Sequence, residues 1–226
     1  MLNKTKKIVK KKYNKTIKNK NFYKNPRKIN NKNTLLLVVD AQEKYRKQMI
    51  NTNKNFIKDL KNIIDIFDKK KYKIAFTRYA RCKTEFKCDI DKNKDINALS
   101  IIMNTLDKKE TKKFKPNTKY WELLKEIKDY EDKKYPIFDT ELLNPFIIPE
   151  FKKYIKNNKI KNIILIGGWA EHCILSNVNY SIHNNIVPYV IKDCIFGSNK
   201  KKIKKAFDIM YDIAFIIPKR SIKYIY

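Results

Sequence analysis

The stretch IILIGGWAEHC (residues 163–173) holds two of the chain's three glycines, one of its two histidines and one of its four cysteines. IILIG (163–167) is an apolar run of strand length, the pattern of a strand buried on both faces of a parallel sheet. ILSNVNYSIHN (174–184) reads as a helix, with Ile174, Val178 and Ile182 on one stripe. A strand that passes directly into a helix needs unusual backbone angles and close backbone approach, and Gly167 and Gly168 permit both. Cys173 therefore stands at the mouth of a helix. There the helix dipole and free amides favour a thiolate, and the same amides can hold an oxyanion formed when sulfur attacks a carbonyl.

Outward from this turn the same alternation repeats. TLLLVVD (34–40) is a second buried strand and ends on an acid. Phe56, Leu60, Ile63, Ile64 and Phe67 lie on one helical face. KIAFT (73–77) is a strand, WELLKEIKDY (121–130) a helix, and YPIF (135–138) a strand. A helix starts again over 149–157 with Pro149 in its first turn. PYVIK (188–192) and IAFII (213–217) are strands, separated by a helix carrying Ile203, Phe207 and Met210. Residues 82–119 are polar and irregular, with a short helix near 97–106. The whole predicts a three-layer α/β/α domain, Rossmann-like, with a six-stranded parallel sheet and helices on both faces. Ligands of such sheets bind outside the carboxyl ends of the strands. Asp40, Asp139 and Cys173 all fall there. A carboxylate beside a cysteine can shuttle its proton.

Residues 1–33 carry 13 Lys and Arg and no acidic residue. They read as a basic, Lys/Asn-rich disordered extension, with the folded domain spanning 34–226. An organelle-targeting role for the extension stays open, although it lacks Arg and Ser enrichment. The net charge is +30, yet 48 of the 53 basic residues are Lys. Recognition of phosphates by planar forks favours Arg, so the charge reads as a solvated Lys coat with nonspecific, salt-sensitive polyanion binding. No apolar run approaches membrane-span length. Four cysteines (82, 88, 173, 194) in a chain of 226 residues imply no disulfide framework and no zinc spacing. They read as reduced thiols of an intracellular, cytoplasmic protein.

At these residues the sequence resembles the isochorismatase-like cysteine hydrolases, the superfamily that includes nicotinamidases. LLLVVDAQEKY looks like the family's first strand with its acid and Gln, and IAFTRY like its second. GGWAEHCILSNVNYS resembles the nucleophile turn and helix, and VIKDCIFGS the next strand. Trp169 and Glu171 look most like a subgroup of unassigned substrate. The resemblance implies Cys173 as nucleophile and Asp40 as general acid/base. It also implies a cis peptide at Gly168–Trp169, with the amides of Trp169 and Cys173 as oxyanion hole. The family's third residue is a lysine after the strand that reads YPIF here, upstream of a pair resembled by NPF (144–146). By the favoured subgroup that position falls on Asp139, and by a longer loop on Lys134 or Lys133. Asp139 in that place opposes thiolate formation and implies impaired activity. The second strand is followed by FTRYARCKTEF, which lacks the two His of nicotinamidases, so no metal or other cofactor is expected.

Three function classes follow. The first is a metal-free cysteine hydrolase of a small amide or related C–N or ester substrate, nicotinamidase being the less favoured member. The second is a catalytically degraded relative serving as a binding or structural subunit of the homo-oligomer that the resemblance implies. The third is a nucleic-acid-associated protein, supported by charge alone.

Overall fold

A computed structural model describes residues 28–80, 118–133 and 135–225. The helix expected near 97–106, Cys82, Cys88, Lys134 and most of the basic extension lie outside the described residues. The strands are β1 (Thr34–Val39), β2 (Lys73–Tyr79), β3 (Ile137–Thr140), β4 (Asn162–Gly168), β5 (Val187–Phe196) and β6 (Phe215–Ile217). They form one six-stranded sheet of order β3-β2-β1-β4-β5-β6, with every pair parallel. The expected α/β/α architecture is present.

The apolar runs in β1 and β4 serve two cores, one on each face of the sheet. Leu36, Val38, Ile164 and Ile166 point to one face. There they meet α2 (Phe56–Lys69), whose Phe56, Leu60, Ile63, Ile64 and Phe67 are buried as their spacing predicts. Leu35, Leu37, Val39, Ile163 and Leu165 point to the other. That face is covered by α4 (Pro149–Asn157), α5 (Leu175–His183) and α6 (Lys200–Met210). Period-two alternation on β-strands divides one hydrophobic run between two helix layers. Burial of so many large side chains, each contributing about 1.5–3 kcal/mol, is the main stabilising force.

The sheet order reverses between β1 and β4. In a doubly wound sheet that is the switch point, where diverging connections leave a crevice at the carboxyl edge. Asp40 and the turn before Cys173 leave the sheet there, from neighbouring strands.

Three expectations need correction. The domain begins before residue 34: Ile29 is only 7% exposed, its N–H donates to the Ile225 carbonyl, and its own carbonyl accepts from the Tyr72 hydroxyl. An apolar residue with both backbone groups paired belongs to the fold rather than to a solvated tail. Residues 121–130 are not one helix but a 3-10 turn (Lys125–Ile127) followed by α3 (Asp129–Asp132). Backbone groups of residues 122–124 are engaged by Ala41, Gln42 and Glu43, which competes with intrahelical pairing. Ile182 is exposed, and Ser181 takes the buried place on α5 beside Val178. A further helix, α1 (Arg46–Thr52), follows the turn after Asp40.

Candidate functional site

Asp40 follows the last residue of β1 in a left-handed conformation, φ 49°, which Asp tolerates better than most residues. Its N–H donates to both the carbonyl and the Oγ1 of Thr77, and Thr77 Oγ1 donates to Asp40 Oδ1 at 2.7 Å. The carboxyl is 2% exposed. Burial raises its pKa, opposed by hydrogen bonds from Thr77 and the Cys173 thiol and by the Lys44 charge.

Cys173 lies in a widened turn (Ala170–Ile174) that feeds α5, and is 5% exposed. Its thiol lies close enough to the Asp40 carboxyl and the Trp169 N–H for both to act on its ionisation. Burial and the Asp40 carboxylate push the thiol well above its ordinary value, while the Trp169 N–H and Lys44 pull it down. Asn177 Nδ2 donates to the Cys173 carbonyl at 2.8 Å, tying the turn to the helix.

Both glycines of the opening stretch lie where a side chain would meet a neighbour. Gly167 has φ 107°, and a Cβ there would lie 2.0 Å from the Val39 carbonyl oxygen. At Gly168 a Cβ would come within 2.6 Å of the Phe196 ring. The Gly168–Trp169 peptide is cis. The Trp169 ring meets Tyr45 at 5.4 Å and Phe196 at 5.7 Å, so an aromatic wall stands beside the sulfur.

The switch point of the parallel sheet thus holds a buried thiol beside a buried carboxyl. Residues 34–217 match the isochorismatase domain family. The chain belongs to the isochorismatase family. No curated protein matches it. Among solved structures it is similar to a cysteine hydrolase from Pseudomonas syringae pv. phaseolicola 1448A, with TM-score 0.71 and 11% identity, covering 86% of this chain and 92% of that one. It is similar to a pyrazinamidase/nicotinamidase from Streptococcus mutans UA159, with TM-score 0.62 and 13% identity over 81% and 99% of the two chains. It is also similar to the MAR1 ribonuclease of Caenorhabditis elegans, with TM-score 0.56 and 18% identity over 86% and 81%. At these identities the likeness is one of fold.

The third position of this isochorismatase-family chain is where the expectation at Asp139 fails. Phe138 pairs with Thr77 and Asp139 with Arg78, so Asp139 points to the face of β3 opposite Thr77. Its carboxylate takes Arg78 Nε at 2.7 Å and is 48% exposed. It is therefore a surface ion pair and not a second carboxylate facing the sulfur. Lys133 precedes β3, at the amino edge of the sheet, where its Nζ lies 2.7 Å from Asp68 of α2. A residue before a parallel strand cannot reach a site beyond that strand's far end. Lys134 lies outside the described residues. Among the described residues no group of His, Cys, Asp and Glu is arranged to hold a metal ion, and His172 and His183 are exposed.

Sequence reasoning missed Thr77, Lys44 and Tyr45. Thr77 was visible only as a strand-end residue. Lys44 and Tyr45 sit in a 3-10 turn (Glu43–Tyr45). Its only sequence signal is the acid-x-Gln start, and one lysine among so many carries no information by itself.

Proposed function

We propose that this chain is an isochorismatase-family hydrolase in which Cys173 attacks a small amide or a related C–N or ester carbonyl. The buried Asp40–Cys173 pair, whose two groups act on each other, carries the reading. Asp40 accepts the thiol proton as Sγ bonds to the carbonyl carbon, and the carbonyl π electrons move to oxygen. The backbone amides of Trp169 and Cys173 hold that oxyanion. Asp40 then returns the proton to the leaving nitrogen or oxygen as its bond to carbon breaks, leaving a thioester on Cys173. Water, deprotonated by Asp40, hydrolyses the thioester and restores the free thiol. The raised Asp40 pKa suits a group that must be an acid in one half-reaction and a base in the other.

The test is a covalent one. With p-nitrophenyl acetate as reporter, a nitrophenol burst and a mass increase on Cys173 are expected, both lost in Cys173→Ala. Turnover of a panel of small primary amides is expected to fall at least ~100-fold in the same variant. Hydrolysis undiminished by Cys173→Ala would remove the nucleophile. A second reading, a degraded relative that only binds, is favoured by one observation: no described lysine of the β3 segment enters the site. It wins if neither burst nor adduct forms at any pH.

The Lys-dominated charge gives a separate expectation. A labelled oligonucleotide is expected to bind without sequence preference and to dissociate as salt rises to physiological strength. Selective affinity that survives there would return nucleic acid to the proposed function.

No helix among the described residues is long and apolar enough to cross a membrane. The polar face of α6 is rich in exposed Lys.

A further inference from the structure

A buried Asp–Cys pair that carries one negative charge needs a cation nearby, because desolvation otherwise drives that charge out. The described part of the β3 segment supplies none. The geometry points to Lys44 as that cation: a positioning residue, held at the carboxyl edge of β2, that supplies the countercharge to the Asp40–Cys173 pair. This rests on the cysteine-hydrolase reading.

Several observations fix Lys44 there. Its Nζ donates to the Tyr79 carbonyl at 2.5 Å, at the end of the strand whose Thr77 holds Asp40. It lies 5.0 Å from the Tyr45 ring centre and 5.2 Å from that of Tyr79, within reach of both π faces. The Lys44 backbone N–H donates to the Tyr120 carbonyl. Gln42 clamps the turn to β2, accepting from the Tyr79 N–H at 2.9 Å and donating to the Trp121 carbonyl at 2.6 Å. Tyr45 in turn packs on Trp169, whose N–H meets the sulfur. The ammonium is thus anchored to two elements that also build the site, and its charge is felt at both Asp40 and Cys173.

The groups that act on the thiol are Asp40 from the end of β1, Lys44 and Tyr45 from the turn, and the Trp169 amide just after β4, while Thr77 of β2 holds Asp40. Burial and its acidic neighbours hold the Tyr45 hydroxyl protonated far into alkaline pH, so it contributes no charge. When the thiol proton moves to the carboxylate, the pair's single negative charge moves from oxygen to sulfur, and Lys44 opposes it in both states. No proton or electron leaves the Lys44 ammonium.

The experiment is the pH dependence of iodoacetamide modification at Cys173, read by mass spectrometry of its own peptide, with Cys173→Ala as blank. Lys44→Gln keeps a donor for the Tyr79 carbonyl and removes the charge. Its alkylation midpoint is expected to rise by about one pH unit or more. Lys44→Arg is expected to keep the parent midpoint within a few tenths of a unit, with unchanged circular dichroism in both variants. A Lys44→Gln midpoint equal to the parent's overturns the proposal. Equal upward shifts in Lys44→Gln and Lys44→Arg also overturn it, since they report packing rather than charge. Should Lys44→Gln fail to fold, Lys44→Met is read against the same two outcomes. The titration needs no substrate. Failure of the hydrolase reading, seen as hydrolysis undiminished in Cys173→Ala, is therefore distinct from failure here.

Discussion

Gly167→Ala is expected to cost the protein about 4 kcal/mol or more, enough to leave much of the chain unfolded. Two independent strains add at this position. The backbone angle, φ 107°, is one that L-residues rarely adopt. The new methyl carbon would also sit 2.0 Å from the Val39 carbonyl oxygen, a backbone atom held by the sheet and unable to rotate away. Val39 and Gly167 form the last pair of the β1–β4 ladder, just before Asp40 and the turn that carries Cys173. Strands forced apart there also separate the carboxyl from the thiol. Gly168→Ala is the milder comparison, because its obstacle is the Phe196 side chain, which can shift. Urea midpoints of the two variants check the order. A Gly167→Ala midpoint close to the parent's would mean that the strands do not approach as described.

Asp40→Asn is expected to separate stability from activity. Burial holds the Asp40 pKa above its ordinary 3.8 in the folded protein. The folded state therefore keeps this proton to higher pH than the unfolded chain does. Stability from this group is fully present below the unfolded value and falls as pH climbs to the raised one. Asparagine cannot ionise, and its Oδ1 still accepts from Thr77. The variant's urea midpoint is thus expected to exceed the parent's at pH 8 and to converge with it near pH 3. Hydrolysis is expected to fall by about 10²–10⁴-fold, the usual worth of a positioned acid/base. Thiol alkylation is expected to be no slower, because the Asp40 charge opposes the thiolate. A variant that is less stable at pH 8 would contradict the burial argument. One that hydrolyses at the parent's rate would remove Asp40 from the chemistry.

The sequence by itself determined the layers and the two ends of the Asp40–Cys173 pair. Short continuous apolar runs such as LLLVV and IILI fit strands covered on both faces, and the one-sided helix stripes supply the cover. Asp40 and Cys173 were legible because each directly follows such a run, and strand ends are marked by local pattern. Gly167 and Gly168 were legible because glycine is scarce in this chain and its backbone freedom is a local property. What only the tertiary structure decided is which charges meet that pair. Asp139 directly follows the run YPIF but lies inside β3, whose parity turns it to Arg78 on the wrong face, and parity depends on pairing with β2. Residues 121–124 look helical until Ala41, Gln42 and Glu43 engage their backbone groups from about 80 residues away. Ile29 looks like tail until Ile225 and Tyr72 close over it. Lys44 is one of 48 lysines, and its place is set by a carbonyl at the end of another strand. Hydrophobic periodicity is written along the chain, whereas an ammonium acts through distance, and distance between residues far apart in sequence exists only once the sheet has formed.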